Sequence, residues 1–422
     1  MGFAQLKDVA PGRREFNETV SGHPDFPQLI ALKIDVQRRG VHYTDQALSM
    51  VDAEIHQLRS ANIFGTRDAV LRPQLPDSLL LRDGTSIVVD PSPLDHDPYF
   101  VDLIDGRLFL VDAGEVLEEV DLWHKPRFYD KFTRSGIPMN LVAQARPQRI
   151  NLFLSSYCHF WAKDDGGCKF CDIVNFGKQQ KSIFAGKPNR PRPADIAETV
   201  REALRERGRF TTFCITGGSV LKGGELFDVE VSHYIETLQA IGENFSTRKF
   251  PSQIVASAFN ERQLSRLYEE TGLSSYTTDL EVLDERLFQW ICPGKAEHVG
   301  YKEWRSRLIR AVDIFGRGYV NTGIVGGIEL ARPHGFRTEA EGLARTLDEA
   351  EFLAENGVST IHTVWVPRPG STFGDQTAPS LDYYIRLAKG LHALRVKYRL
   401  RVDFDDYRRC GNHPDTDLAR LL

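Results

Sequence analysis

From residue 149 onward the sequence alternates between short apolar runs and longer amphipathic stretches. The apolar runs, which are typical of buried strands, lie at 150–155, 210–216, 252–258, 275–281, 319–326 and 360–366. The amphipathic stretches, which have helical spacing, lie at 194–204, 230–243, 260–271, 302–315, 338–356 and 379–395. Six β/α units of this kind predict parallel strands joined by right-handed helical crossovers.

The preceding part of the chain has a different pattern. Asp-Gly pairs at 83–84 and 105–106 separate β-rich runs and predict hairpins at 78–90 and 99–111. Thr44 predicts the start of a helix through 46–58.

These patterns together predict three parts of the chain. We expect an N-terminal α+β domain or extension at 1–145, a barrel at 146–375, and a C-terminal helix and tail at 376–422 that closes the barrel.

Three of the six cysteines lie within fourteen residues, directly after the first predicted strand. Cys158, Cys168 and Cys171 have the spacing C-x9-C-x2-C. Thiolates on a loop at a strand end suit a soft metal or an iron–sulfur cluster. A four-iron cluster on three cysteines keeps one iron open to another ligand. Two other interpretations stay open: buried thiols without a role, and a structural zinc site with His159 as fourth ligand.

This loop resembles the cluster loop of the radical S-adenosylmethionine (SAM) enzymes. Their usual spacing is C-x3-C-x-aromatic-C, and their open iron chelates the amino and carboxylate groups of SAM. Residues 168–171 match the second half of that motif, with Phe170 as the aromatic residue beside the open iron, whereas the first gap is nine residues. A similar nine-residue gap occurs in the catalytic subunit of Elongator. The resemblance covers about 149–375 and implies an α/β fold with a partial (β/α)6 TIM-like barrel, a [4Fe-4S] cluster and SAM.

The second and third strand ends extend the resemblance. Gly217, Gly218 and Ser219 correspond to the family's glycine-rich turn, often Gly-Gly-Glu, which takes the ammonium group of SAM; here Ser219 replaces the acidic residue. Ser257 and Asn260 follow the third strand, where polar groups meet the ribose or carboxylate of SAM. Asn260 is equally suited to cap the next helix.

The fourth, fifth and sixth strand ends add further candidates. In the family an Asn/Asp-Leu-Glu segment places its Glu near SAM, which implies a catalytic role for Glu281. Lys295 is predicted to reach a carboxylate of SAM or substrate, and a solvated lysine after a turn is an equal alternative. Ile324, in a sequence close to G-x-I-x-G-x-x-E, and Val366, beside a Pro-x-Pro-Gly segment, are implied to contact adenine.

Of the three other cysteines, Cys214 is predicted to be a core residue in a strand, and Cys292 is predicted to lie in a loop. Their wide spacing predicts no second cluster. Cys410 follows two arginines and precedes His413, and cations lower the pKa of a thiol. We therefore predict that Cys410 is a catalytic residue near the substrate.

Composition limits the function. A net charge of −5 argues against nucleic acid as the main partner, and the sequence has no run of eighteen apolar residues to span a membrane. An oxygen-sensitive cluster fits a reducing cytoplasm. We expect a cytoplasmic enzyme that acts on a small biosynthetic substrate and takes electrons from a donor such as flavodoxin or ferredoxin. The alternatives are a non-catalytic zinc- or cluster-stabilised binding protein and an Elongator-like tRNA-modifying enzyme.

Overall fold

The computed structural model describes residues 10–58, 75–146 except 91 and 93, 148–173 except 156, 190–400 except 369, and 411–421. The described helices are α1 Pro11–Gly22, α2 Gln28–Arg39, α3 Asp45–Ser49, α4 Met139–Val142, α5 Pro193–Ala203, α6 Asp228–Gly242, α7 Glu261–Glu270, α8 Glu285–Ile291, α9 Pro293–His298, α10 Tyr301–Phe315, α11 Glu339–Glu355, α12 Leu381–Lys397 and α13 Pro414–Leu421. The described strands are β1 Val41–Tyr43, β2 Ser78–Leu81, β3 Ser86–Val88, β4 Tyr99–Ile104, β5 Arg107–Asp112, β6 Glu115–Leu122, β7 Gln144–Arg146, β8 Arg149–Phe153, β9 Thr212–Thr216, β10 Ser252–Val255, β11 Ser275–Thr277, β12 Val320–Gly326 and β13 Val358–Val364.

Strands β8 to β13 form a parallel sheet in which each strand pairs with the next one along the chain. The short strand β7 adds to the β8 edge in the antiparallel direction. The six predicted β/α units are therefore confirmed, and the fold is a partial (β/α)6 barrel with an N-terminal α+β extension. In barrels of this kind, ligands bind at the carboxyl ends of the strands.

The two faces of the barrel sheet differ in polarity. Alternate residues belong to the large apolar core, among them Ile150, Leu152, Phe213, Ile215, Ile254, Tyr276, Val320 and Val358. The opposite register positions carry Asn151, Cys214, Gln253, Thr277 and Asn321. Because strand side chains alternate between faces, the apolar set packs under the helices and the polar set lines the inside of the half barrel.

The N-terminal extension contains a second sheet in the order β1-β4-β5-β6-β2-β3. Both predicted hairpins are confirmed as antiparallel pairs, β2 with β3 and β4 with β5. A third hairpin joins β5 to β6 through Ala113 and Gly114, which both have positive φ. The sequence lacks an Asp-Gly pair there, so the prediction missed it.

The predicted helix through 46–58 is wrong in its length, because α3 ends at Ser49. Its start is right: Thr44 Oγ1 accepts a hydrogen bond from Ala47 N at 3.1 Å. The following residues pair with the chain after β6 instead, since Lys125 N donates to Ile55 O at 2.7 Å and Gln57 N donates to Trp123 O at 2.7 Å. Extended pairing thus replaces the expected helical turns.

The last described helix, α13, packs against β13, α12 and α2, which connects the N-terminal extension to the barrel. A fully buried ion pair, Lys33 Nζ to Asp417 Oδ2 at 2.6 Å, joins α2 to α13. The boundaries at 145/146 and 375/376 stay predictions. Among the described residues, no helix is both long enough and apolar enough to cross a membrane.

Candidate active site

The cysteine loop begins where β8 ends and lies against the glycine turn after β9. Gly218 N donates to Ser155 O at 3.1 Å, and His159 N donates to Ser219 O at 2.9 Å. A Cβ atom on Gly218 would lie 2.6 Å from the N and Cα of Cys158. The second strand therefore needs a glycine at 218 because the cysteine loop passes so close to it.

The opposite side of the loop is held by the connection between α8 and α9. Lys169 N donates to Ile291 O, and Gly294 N donates to Gly166 O, both at 2.9 Å. Phe373 N, from the segment after β13, donates to Lys169 O at 3.2 Å. Three separate parts of the barrel thus fix the backbone that carries the cysteines.

The three thiols lie near one another in a largely buried place. Burial raises the pKa of Cys158 to about 11, and the neighbouring Cys168 adds to the rise. Burial also raises the pKa of Cys171, again with a contribution from Cys168. A bound iron–sulfur cluster would offset this cost because it stabilises thiolates.

The donor set is three thiols on one loop, as an iron–sulfur cluster requires. Within the described ranges, no three His, Cys, Asp or Glu side chains are grouped as ligands of one metal ion. His159 Nδ1 already accepts a hydrogen bond from Leu221 N at 3.2 Å, which weighs against the zinc interpretation. The donor set therefore fits a [4Fe-4S] cluster, with Phe170 half-buried beside Cys171.

Cys292 is a fourth cysteine at this place, which the sequence reasoning assigned only to a loop. It is fully buried between α8 and α9, and both burial and Cys168 raise its pKa. Because Cys292 is 121 residues from Cys171 along the chain, the sequence did not indicate that the two lie close together. The only local signal was its position three residues before Lys295.

Glu281 and Lys295 are brought together as a largely buried pair. Lys295 Nζ donates to Glu281 Oε1 and to Asp279 O, each at 2.7 Å, and lies 4.7 Å from the centre of the Trp304 ring. Burial raises the pKa of Glu281 to about 7, although Lys295 opposes the rise. Glu281 also has φ of +68°, a strained conformation for a residue with a side chain.

The fifth strand supports this strained residue. Glu281 N donates to Gly323 O at 3.1 Å, and Val325 N donates to Glu281 O at 2.9 Å. Gly323 N donates to Asp279 Oδ1 at 2.8 Å. The adjacent Ile324 is buried, and Val366 is half-buried just beyond β13. Their contact with adenine stays a prediction.

The ends of the second and third strands form a polar network. Ser257 Oγ lies 2.9 Å from Ser219 Oγ and 2.9 Å from Glu230 Oε2. Sequence reasoning missed Glu230, although it is a glutamate on the same helical face as Tyr234 and Ile241, both of which are buried. That placement was the available signal.

Asn260 acts as a helix cap. Its side-chain oxygen accepts from Gln263 N at 3.0 Å, and its amide donates to Glu225 Oε2 at 2.7 Å. A role in SAM binding stays a prediction for Asn260, as it does for Gly217, Gly218, Ser219 and Ser257. Cys410 lies outside the described residues, so its predicted role is likewise untested.

The chain is similar to bacteriochlorophyllide c C-7(1)-hydroxylase of Chlorobaculum limnaeum, with 24% identity over 244 residues. The match covers 56% of this chain and 57% of the hydroxylase, so the chain spans little more than half the length of that relative. No family model matches the chain.

Two solved structures are also similar. A radical SAM methyltransferase from Sphaerobacter thermophilus has a TM-score of 0.41 and 16% identity, over 82% of this chain and 84% of that one. Methylornithine synthase has a TM-score of 0.37 and 17% identity, over 62% of this chain and 72% of that one.

The cysteine motif and the fold agree in where they place the candidate site. The cysteine motif lies at the carboxyl end of the first strand of a six-stranded half barrel. In that placement and in its similarity to the hydroxylase, the chain resembles the radical SAM enzymes.

Proposed function

We propose that the protein holds a [4Fe-4S] cluster on Cys158, Cys168 and Cys171, binds SAM at the open iron, and acts on a small molecule. The observation that carries the proposal is the position of the cysteine loop, fixed between the glycine turn of β9 and the α8–α9 connection. Cys158, Cys168 and Cys171 would hold the cluster, and the cluster with SAM would supply radical chemistry for removing a hydrogen atom from the substrate. A one-electron donor such as flavodoxin or ferredoxin provides the reduction.

The protein's own residues orient these groups and exclude water. Lys295 holds the Glu281 carboxylate beside the cysteine loop, so that Glu281 can accept hydrogen bonds from bound SAM or substrate. Ile324 and Val366 supply apolar surface at the ends of the last two strands.

The inner face of the barrel carries buried polar atoms without a hydrogen-bond partner. In the part of the chain that the structure describes, Thr212 Oγ1, Asn321 Nδ2 and Ser359 Oγ are buried and make no hydrogen bond. Strand register puts all three on the polar face of the sheet. All three residues lie within the first two positions of their strands, at the end opposite the cysteine loop, so ordered water is the partner that these atoms are suited to bind.

Metal and product analysis tests the proposal. Protein reconstituted without oxygen should bind about four irons and four sulfides per chain, as one cluster requires. With dithionite and SAM it should release 5′-deoxyadenosine and methionine. The Cys214→Ala variant is a control, because Cys214 lies within β9 and outside the loop. About one zinc and no sulfide would instead support the non-catalytic alternative.

A further inference from the structure

Glu230 is a buried carboxylate that the proposed reaction does not use. It lies in the first turn of α6 and is 3% exposed. Its Oε1 accepts from Ser257 N at 3.0 Å, and its Oε2 accepts from Val220 N at 2.8 Å and from Ser257 Oγ at 2.9 Å. All three donors are neutral groups. They satisfy the oxygens but do not cancel the negative charge.

Two serine hydroxyls lead from Glu230 to the cysteine loop. A hydroxyl has one proton, so Ser257, while it donates to Glu230, can only accept from Ser219. The Ser219 hydroxyl also hydrogen-bonds with the Cys158 side chain, and a second lone pair on its oxygen is left for a ligand. Ser219 is half-buried, and its carbonyl oxygen holds the amide of His159, next to Cys158. The two serine hydroxyls thus connect the Glu230 carboxylate to the candidate site by hydrogen bonds.

The site has a surplus of negative charge. Asp279, Glu281 and Glu230 all interact electrostatically with Lys295, which donates its hydrogen bonds to Glu281 and to the Asp279 carbonyl oxygen. Burial raises the pKa of Glu230 to about 7, so the three neutral donors and Lys295 do not fully compensate it. A cation bound near Ser219 would stabilise the ionised form.

We propose that Glu230, acting through Ser257 and Ser219, is the positioning residue that attracts the cationic part of bound SAM. The inference rests on the proposed function. SAM carries an ammonium, a sulfonium and a carboxylate, and therefore has a net positive charge. In this arrangement the carboxylate comes from a helix behind the glycine turn instead of from the turn itself.

Binding measurements on the reconstituted protein test the role of Glu230. Three ligands are compared: SAM, S-adenosylhomocysteine, which keeps the ammonium but not the sulfonium, and 5′-methylthioadenosine, which has neither. Glu230→Gln should weaken SAM binding by about ten- to a hundredfold, the effect of removing one charge at partly screened distance. Binding of 5′-methylthioadenosine should change by less than about twofold on the same scale.

The comparison of SAM with S-adenosylhomocysteine identifies the cationic group. Weaker binding of S-adenosylhomocysteine as well as SAM would assign the ammonium, and weaker binding of SAM alone would assign the sulfonium; both outcomes support the proposal. Equal weakening of all three ligands would show a purely structural role and overturn it. Unchanged binding of all three would also overturn it.

Two further variants keep the test decisive. Ser219→Ala leaves the three hydrogen bonds of Glu230 in place and should also weaken SAM more than 5′-methylthioadenosine, even if Glu230→Gln folds poorly. Glu236→Gln, on the same helix but 49% exposed at its side chain, is the matched control and should change nothing. A wild-type protein that binds neither iron nor SAM would overturn the proposed function itself, and this inference with it.

Discussion

Buried carboxylates occur in two regions of the molecule, and the pKa values of Asp415 and Glu281 are shifted in opposite directions. Asp415, at the start of α13, lies 2.7 Å from His362 Nδ1 and 3.3 Å from Arg395 Nη1. Burial alone would raise its pKa, but His362 and Arg395 together hold the pKa below its ordinary value of 3.8. Glu281 has Lys295 at 2.7 Å, yet burial still raises its pKa to about 7.

The difference in pKa distinguishes two kinds of contact. Asp415 belongs to the contact that holds α13 against the barrel, which we call the docking region, and Glu281 belongs to the candidate ligand site. Two partners within the chain compensate the charge of Asp415, whereas burial raises the pKa of Asp417 on the same helix despite its pair with Lys33. At the cysteine loop Glu281 and Glu230 both have raised pKa values and lack full compensation. Such carboxylates beside a group of thiols are typical of a place where another charged group binds.

The largest expected effect is the loss of the cluster. Replacing Cys158, Cys168 or Cys171 singly by Ala should lower the iron content from about four per chain to nearly zero, since two thiolates do not hold a four-iron cluster. Elemental analysis of anaerobically reconstituted protein measures this. Cys292→Ala is the informative control: Cys292 is beside the loop but outside the motif, and this variant should keep its iron. Full iron binding by all three motif variants would contradict the assigned ligands.

A substitution in the docking region should change the stability of the protein and leave its iron content unchanged. Asp415→Ala leaves Arg395 and His362 buried without their partner and should lower the free energy of unfolding by about 3–5 kcal/mol. Denaturant unfolding measures this free energy. The control is Asp313→Ala, at an exposed position, whose free energy of unfolding should stay within about 0.5 kcal/mol of wild type. Iron content per folded chain should not change. If Asp415→Ala lost iron without losing stability, the claim that the docking region and the cysteine loop have separate roles would be contradicted.

The two regions should also show opposite pH dependence. Glu230 has a folded pKa of about 7 against 4.5 ordinarily, so its contribution to stability is present below pH 4.5 and lost as pH rises to 7. Burial lowers the pKa of His413, near α13, from 6.5 to about 4, so its contribution is present above pH 6.5 and lost as pH falls to 4. Each shift corresponds to about 3 kcal/mol at most.

Unfolding free energies measured from pH 4 to pH 7 separate these contributions. Relative to wild type, Glu230→Gln should gain stability as pH rises, and His413→Gln should gain stability as pH falls. Two variants that change with pH in the same direction would show that at least one region is described wrongly.

A smaller effect is expected for Glu281, on turnover. Glu281→Gln keeps the shape of the side chain but removes its charge, and should reduce SAM cleavage about a hundredfold, or about 2.7 kcal/mol. Product formation under reducing conditions measures this, while iron content should match wild type. The control is Glu297→Gln, at the exposed pair with Lys163. Normal turnover in Glu281→Gln would exclude Glu281 from the site.

The repeating part of the fold was predictable because each β/α unit has its own local pattern. Strand ends placed Cys158, Glu281 and Lys295 at one edge of the sheet, and the structure brings Glu281 and Lys295 into contact. Contacts between distant segments were not predictable. Cys292 reaches Cys168 only because the α8–α9 connection lies along the cysteine loop.

The other differences between prediction and structure have local causes. Residues 55–57 pair with 123–125 and end the predicted helix early, although Thr44 caps it as expected. Glu230 was hidden because a glutamate in an amphipathic helix ordinarily faces water. Its shared helical face with Tyr234 was a weak signal, and the tertiary contact with Ser257 shows that it faces inward.

The most direct test of the central claim is whether SAM binds at the cluster. The claim predicts that saturating SAM changes the electron paramagnetic resonance spectrum of the reduced cluster, because three cysteines leave one iron open to coordination. SAM labelled with ¹⁷O in its carboxylate should additionally show hyperfine coupling to the cluster. An unchanged spectrum at saturating SAM, in protein that contains about four irons per chain, would contradict the account.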